Sequence, residues 1–287
     1  MVLKTSSEKK KGLALGLMLF CGLFPLLVSS QELEQAVISI IIDDIGYHNS
    51  DSQMIDLPGN LTFAILPKGP KATQLAEYAH QQGKEVMLHM PMQSTLGLAA
   101  EVGVLNIDMQ EKEVVASIRQ AFAKVPYAIG LNNHQGSLLT RHPGHMGWVM
   151  KELQGKGYYF VDSRTSKQSI AEQVAKEHGV PAIRRDVFLD HEINEASIKE
   201  RFNYLVKVAL KKGHAVAIGH PHPETLAVLK ELLPLLAKKG IRLKPLSYQL
   251  WQRFEGKRAS RDNAKSLRQP DHRSSEPLSL PSKKQAS

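Results

Sequence analysis

The stretch Ser39–His48, SIIIDDIGYH, runs a set of β-branched residues straight into two adjacent carboxylates, Asp43 and Asp44. Adjacent carboxylates repel, and each resists burial unless a cation or hydrogen-bond donors meet it. Further along, EVMLH ends on His89, AIGLNNHQGS carries His134, and YFVDSR carries Asp162 and Arg164. RRDVFLDHE then brings Asp186, Asp190 and His191, and VAIGHPHPET ends in His220 and His222. One histidine at a strand end is ordinarily a hydrogen-bonded structural residue. Several strands that each finish on His or paired Asp point instead to a shared ion. Imidazole and carboxylate suit a borderline divalent metal, and three of them beside an open position make a catalytic site. His142 and His145 flank Pro143–Gly144 and read as a turn at a helix start. Asp190–His191–Glu192 suits either a catalytic pair or the cap of a helix near Asn194. The sequence holds no Gly-rich phosphate loop and no nucleophile-elbow pattern.

The elements that must position these residues follow one grammar. An amphipathic helix, a Gly and a short apolar strand recur in ATQLAEYAHQQG–KEVMLHMP, MGWVMKELQGKG–YYFVDS and IAEQVAKEHG–VPAIRRDVFLD. The same order recurs in IKERFNYLVKVALKKG–HAVAIGHPHP and TLAVLKELLPLLAKKG–IRLKPLS. Apolar residues three and four apart predict the helices, and the Gly after each supplies a left-handed cap. The strands are nearly continuous in apolar character, as parallel strands covered on both faces are. With AVISIIID, LTFAIL and YAIGLN they make about eight strands between residues 36 and 247. Such alternation predicts a parallel α/β architecture, and its count and regularity favour a barrel. Segments 44–60 and 90–110 show no clear helix, so the barrel is expected to be irregular. Reactive residues in such barrels gather at the carboxyl ends of the strands, where this chain puts its His and Asp.

The 287 residues are 42% hydrophobic, enough for one large core. Of the net charge of +9, residues 1–30 contribute +3 and residues 256–287 contribute +5. The remainder is almost neutral, which argues against nucleic acid as a partner. KTSSEKKK, then GLALGLMLFCGLFPLLV, then SSQE form a basic, apolar and small-residue series, expected to be a signal peptide over residues 1–30. An uncleaved anchor is the alternative; either way the body is expected to be exported, to the periplasm, with no stable membrane span after cleavage. Cys21 is the only cysteine, so a mature chain would form no disulfide and any metal would rest on His, Asp or Glu. Residues 256–287 read as a disordered basic tail, leaving residues 31–255 as the folded domain. Aromatic residues make up only 6%, which gives no obvious stacking platform for a long glycan.

The motifs DDIGY, LTFAILP, LHMPMQ, GLNNHQGS, VDSRTS, FLD and AIGHPHPET, in this order, resemble the divergent polysaccharide deacetylase family of bacterial envelope proteins. The resemblance covers roughly residues 36 to 250 and implies a distorted (β/α) barrel of seven to eight strands. In the wider deacetylase group the first strand ends in two aspartates, one the general base and the next a metal ligand. That implies Asp43 as base and Asp44 as ligand. The group's His-x-x-x-His metal pair is met here by His89 but by Gln93 at the second position, and His134 is the candidate that replaces it. His220 in AIGH matches the group's general acid.

The resemblance thus implies a metal-dependent hydrolase that removes acetyl groups from an N-acetylated polysaccharide or sugar of the envelope. A divalent metal, with zinc as the expected ion, would rest on Asp44, His89 and His134. Asp43 would take a proton from water, His220 would protonate the leaving amine, Asp190 or Asp162 would orient His220, and Arg164 would stabilise the oxyanion. The alternative is a catalytically reduced barrel that binds glycan or a cell-wall partner, as Gln93 suggests. A phosphoesterase would usually need two metals, and the carboxylates are too few.

Overall fold

The computed structural model describes residues 35–96 and 103–254; the expected signal segment, Cys21 and the basic tail lie outside them. The run AVISIIIDDI forms β1 (Ala36–Ile45), and a single 3-10 turn leads into the short α1 (Ser52–Ile55). Next come β2 (Thr62–Ile65), α2 (Ala72–Gln81) and β3 (Glu85–Met92). Then follow α3 (Glu111–Lys124), β4 (Ala128–Gln135), α4 (Pro143–Lys156), β5 (Tyr159–Asp162) and α5 (Ala171–Glu177). The chain continues through β6 (Ala182–Arg184), β7 (Val187–Phe188), α6 (Glu195–Lys212), β8 (His214–Gly219), α7 (Pro223–Leu232) and β9 (Ile241–Leu243). Residues 246–254 are helical.

All strand pairs are parallel, in the order β6-β5-β4-β3-β2-β1-β8-β7, with β9 added along the first residues of β1. The sheet curls into a distorted half-barrel, as the alternation of helices and strands predicts. It is open where β6 and β7 meet, because VPAIRRDVFLD is not the one strand its composition suggests. Its first part pairs with β5 and its second with β8, so the chain crosses the seam at Arg185–Asp186.

Two apolar clusters divide the strand residues by parity. Ile40, Ile42, Phe63, Leu88 and Phe160 face outward, where Leu75, Val114, Met146 and Phe202 of the helices cover them. Ile41, Ala64, Met87, Val161 and Ile218 face inward and fill the lumen, closed from below by Leu246 and Leu250. This inner face carries the site, since the next inward positions beyond Ile41, Met87 and Ile218 are Asp43, His89 and His220.

The helices differ from expectation at two points. The periodicity above does not single out α3, although Val114, Ile118 and Ala121 line its buried face. It ends at Val125–Pro126 with no Gly cap, unlike α2, α4, α5 and α6, which run into a left-handed glycine. The run TLAVLKELLPLLAKKG is expected to be one helix, but Pro234 ends it after α7 and two 3-10 turns follow. The expected left-handed caps are present, as at Gly157 and Gly213 (φ 69° and 81°). His142 caps α4, its ring accepting from the His145 amide, which matches the turn read from the sequence. Among the described residues no helix is long and apolar enough to cross a membrane.

Candidate metal centre

In a regular strand Asp43 and Asp44 would face opposite sides of the sheet. Here Ile42 pairs with Phe63 and Ile45 with Ile65, so β1 carries one residue more than β2 over this interval. The bulge is made by Asp44 in the left-handed region (φ 60°). Ile42 and Ile45 both stay in the outer core, and the two carboxylates between them turn toward the lumen. A left-handed non-glycine residue costs about 1–3 kcal/mol and persists where the surroundings enforce it.

His89 is buried on β3, and His134 follows the inward-facing Asn132 on β4. The Asp44 Oδ1 lies 3.1 Å from His89 Nε2 and 3.0 Å from His134 Nδ1, and those two nitrogens are 3.1 Å apart. Asn132 fixes the first ring, its Oδ1 2.7 Å from His89 Nδ1 while its Nδ2 donates to Asp43 at 2.8 Å. An amide oxygen can only accept, so His89 carries a proton on Nδ1, which leaves Nε2, facing Asp44, as the ring atom that can meet an ion.

The three donor atoms fit a divalent ion. Asp44 Oδ1 is buried without a hydrogen bond, although two imidazole nitrogens stand beside it. Separations of 3.0–3.1 Å are close to those of ligands sharing one ion through bonds of about 2.0–2.1 Å. One carboxylate and two imidazoles suit a borderline metal. Gln93 is not part of this group: its Oε1 accepts the Ile107 amide at 2.9 Å and braces the loop after β3.

The paired aspartates have opposite electrostatics. Burial pushes the Asp43 carboxyl above its ordinary range, against the pull of His89 and His220. Burial also acts on Asp44, but His134 and His89 outweigh it and hold that carboxyl far below its ordinary range. Burial would lower His89, yet Asp43 and Asp44 raise it. The carboxylates that favour a proton on this ring would favour a metal ion in the proton's place.

On the other side of the centre, His220 Nε2 lies 3.9 Å from Asp44 Oδ2. Its Nδ1 is 2.9 Å from Asp190 Oδ1, and Asp190 Oδ2 accepts the His220 amide at 2.6 Å and Thr225 Oγ1 at 2.8 Å. Burial would lower His220, but Asp190 first and then Asp43 and Asp44 raise it to about 9. Asp190, His220 and His222 also stand close enough to share an ion. The oxygens of Asp190 are already filled by protein donors, so its geometry is that of a residue orienting His220.

The structure therefore brings together Asp43, Asp44, His89, His134, His220 and Asp190. Arg164 stands apart: its guanidinium donates to the carbonyls of Ser169 and Lys167, each at 3.1 Å, and braces its own loop. Asp162 is likewise spent on that loop, accepting from the Arg164 amide and Ser169 Oγ. Two residues of the site are not singled out by the sequence reading. Asn132 sits inside the quoted GLNNHQGS and is marked only by its inward parity two residues before His134. Arg185 donates to the Ser163 and Arg164 carbonyls at the open seam, close enough to Asp43 and Asp162 that they counter the lowering effect of its burial. Nothing in RRDVF separates it from Arg184.

Beside the centre is a cavity of about 480 Å³, lined by Asp44, His134 and His220 together with Tyr47, His48 and Lys68 of the loops after β1 and β2.

A family model described as divergent polysaccharide deacetylase matches residues 40–250. Two curated relatives are each 38% identical to the chain: the uncharacterized protein YibQ of Escherichia coli strain K12, over 209 residues, and an uncharacterized protein of Haemophilus influenzae, over 205. These matches cover 72% and 71% of this chain, and 66% and 73% of the respective relatives. The crystal structure of the uncharacterized protein ATU2773 from Agrobacterium tumefaciens C58 superposes with a TM-score of 0.72 at 23% identity. It covers 75% of this chain and 89% of that one, which establishes a shared fold.

Proposed function

The chain belongs to the divergent polysaccharide deacetylase family, and we propose that it is a metal-dependent hydrolase removing acetyl groups from an N-acetylated glycan of the bacterial envelope. The observation that carries this reading is the convergence of the orphaned Asp44 Oδ1 with His89 Nε2 and His134 Nδ1, beside a separately tuned Asp43 and His220. Asp44, His89 and His134 would hold the divalent ion, for which zinc is the choice that best suits one oxygen and two nitrogen donors. When bound, the ion supplies Lewis acidity and lowers the pKa of water.

Asp43 takes the proton from the water that adds to the acetyl carbon. Its raised pKa brings it closer to working pH than an ordinary aspartate, and Asn132 holds its Oδ1 in place. His220 gives a proton from Nε2 to the amine nitrogen as the carbon–nitrogen bond breaks. Asp190 keeps the His220 Nδ1–H directed away from the site and stabilises the charged ring. Acetate and the free amine leave. The basic, apolar and small-residue leader of residues 1–30 supports export to the periplasm.

A binding role without chemistry is the second reading, favoured by Gln93, which has a loop-bracing job where a ligand histidine is usual. The full chain decides between them through its metal content and acetate release from N-acetylated glycans. We expect bound metal, acetate release, and loss of both in His134→Ala. Unchanged metal in that variant removes His134 as a ligand, and glycan binding with no acetate release leaves the binding reading.

A further inference from the structure

We propose that Tyr47 and Lys68 form a rigid rim that selects an acidic glycan, the tyrosine ring stacking on a sugar and the ammonium meeting an anionic substituent. The inference rests on the deacetylase reading for its substrate class and on the two loops beside the centre for its geometry.

The loop after β1 is held by one buried carboxylate. Asp51 Oδ2 accepts the backbone N–H groups of Gly46, Tyr47 and His48 at 2.9, 3.2 and 3.1 Å. Three consecutive amides on one oxygen fix the path of the loop. The loop after β2, Pro67–Lys68–Gly69–Pro70, is locked against it. The Lys71 amide donates to Gly46 O at 2.9 Å, and the Leu66 amide to Ile45 O at 2.8 Å. A Cβ on Gly69 would lie 2.3 Å from Gly46 O, so only glycine allows this approach. These contacts join the two loops, and residues of both line the cavity beside Asp44.

Folding alone does not account for what this body presents. Tyr47 is 47% exposed although Asp43 and Ile45 just before it are buried. The braced loop places a large ring in the lining of the cavity that also holds His134 and His220, with Met92 and Val104 among its apolar residues. An aromatic face at this edge is suited to the C–H face of a sugar, and the braced backbone beneath it reduces the loop entropy lost on binding. Lys68 lines the same wall, and among the described residues no carboxylate lies within ion-pair distance of it. A carboxylate or a phosphate on the glycan would complete it.

The test uses calorimetry on the full chain with short N-acetylated glycans of three kinds: neutral, carboxylate-bearing and phosphate-bearing. Melting temperature and metal content check the fold of each variant. Tyr47→Ala is expected to weaken all binding roughly 5- to 10-fold, while Tyr47→Phe keeps it, because the ring and not the hydroxyl acts. Lys68→Met is expected to erase a preference of roughly 10-fold for the acidic glycans, and Lys68→Arg to keep it. Whichever acidic glycan wild type prefers identifies the anion. Equal affinity for neutral and acidic glycans, or binding indifferent to Tyr47→Ala, overturns the rim. Acetate release is scored separately. Rim-dependent binding without acetate release removes the hydrolase and keeps the rim, whereas acetate release unaffected by either substitution keeps the hydrolase and overturns the rim.

Discussion

At the amino ends of the strands, Glu85 receives Thr62 Oγ1 at 3.0 Å, the Tyr159 hydroxyl at 2.9 Å and the Ser247 amide at 3.2 Å. At the carboxyl ends of the same sheet, Asp44 Oδ1 is buried with no amide or hydroxyl donor and faces only two imidazole nitrogens. The donors around Glu85 are hydroxyl and amide hydrogens that stay attached, and they tie β2, β3 and β5 to the segment that closes the barrel. The atoms around Asp44 are nitrogens whose lone pairs can turn to a cation. One carboxylate is complete when the chain folds; the other is complete only with something added. Satisfaction of hydrogen bonds therefore separates a structural acid from a ligand more sharply than burial does.

That contrast is sharpened first by Asn132→Ala. Asn132 orients His89 and touches Asp43 without reaching the ion, so the variant is expected to lose about 10–100-fold in metal affinity, read by competition with a chelator. Equal affinity would mean that the upper centre needs no orienting partner.

A smaller effect is expected from Asp190→Asn, read in the pH profile of acetate release. His220 with a pKa of about 9 stays protonated through neutral pH and loses its proton as pH rises through about 9. Removing the Asp190 charge moves that basic limb down toward the ordinary histidine value near 6.5, with activity at pH 8 lower by roughly 10-fold. The same sign governs stability: the Asp190–His220 pair stabilises the fold fully below about 6.5 and fades as pH climbs to about 9. A limb that stays in place would break the link between Asp190 and the proton on His220.

The smallest effect on chemistry is expected at the lower carboxylate. Glu85→Ala strands the Thr62, Tyr159 and Ser247 donors and should cost about 1–3 kcal/mol in urea unfolding. Metal content is expected to stay unchanged; a loss would show that the two ends of the barrel are coupled.

The strand ends were legible because chemistry and periodicity coincide there. Asp43, His89 and His220 each sit two residues beyond an apolar lumen residue, so parity alone aims them. Asp44 needed more, since parity turns it outward and only the bulge brings it back, and no turn residue marks the bulge. Arg164 shows the reverse failure: a cation beside a strand-end aspartate looks functional in sequence, but its fork is taken by two carbonyls of its own loop. Helix α3 escaped because Val125–Pro126 ends it, whereas α2, α4, α5 and α6 run into the left-handed Gly83, Gly157, Gly179 and Gly213. The divided strand at Arg185–Asp186 was hidden because both halves are apolar, and composition does not record which neighbour a strand chooses.

The open seam between β6 and β7 bears on behaviour at high concentration. A sheet that does not close leaves two edges, and long flat edges invite another chain to add a strand. At this seam the edges are three and two residues long, too short to template pairing, and the chain turns away from both at once. The half-barrel thus keeps an opening beside its centre without offering a nucleus for aggregation.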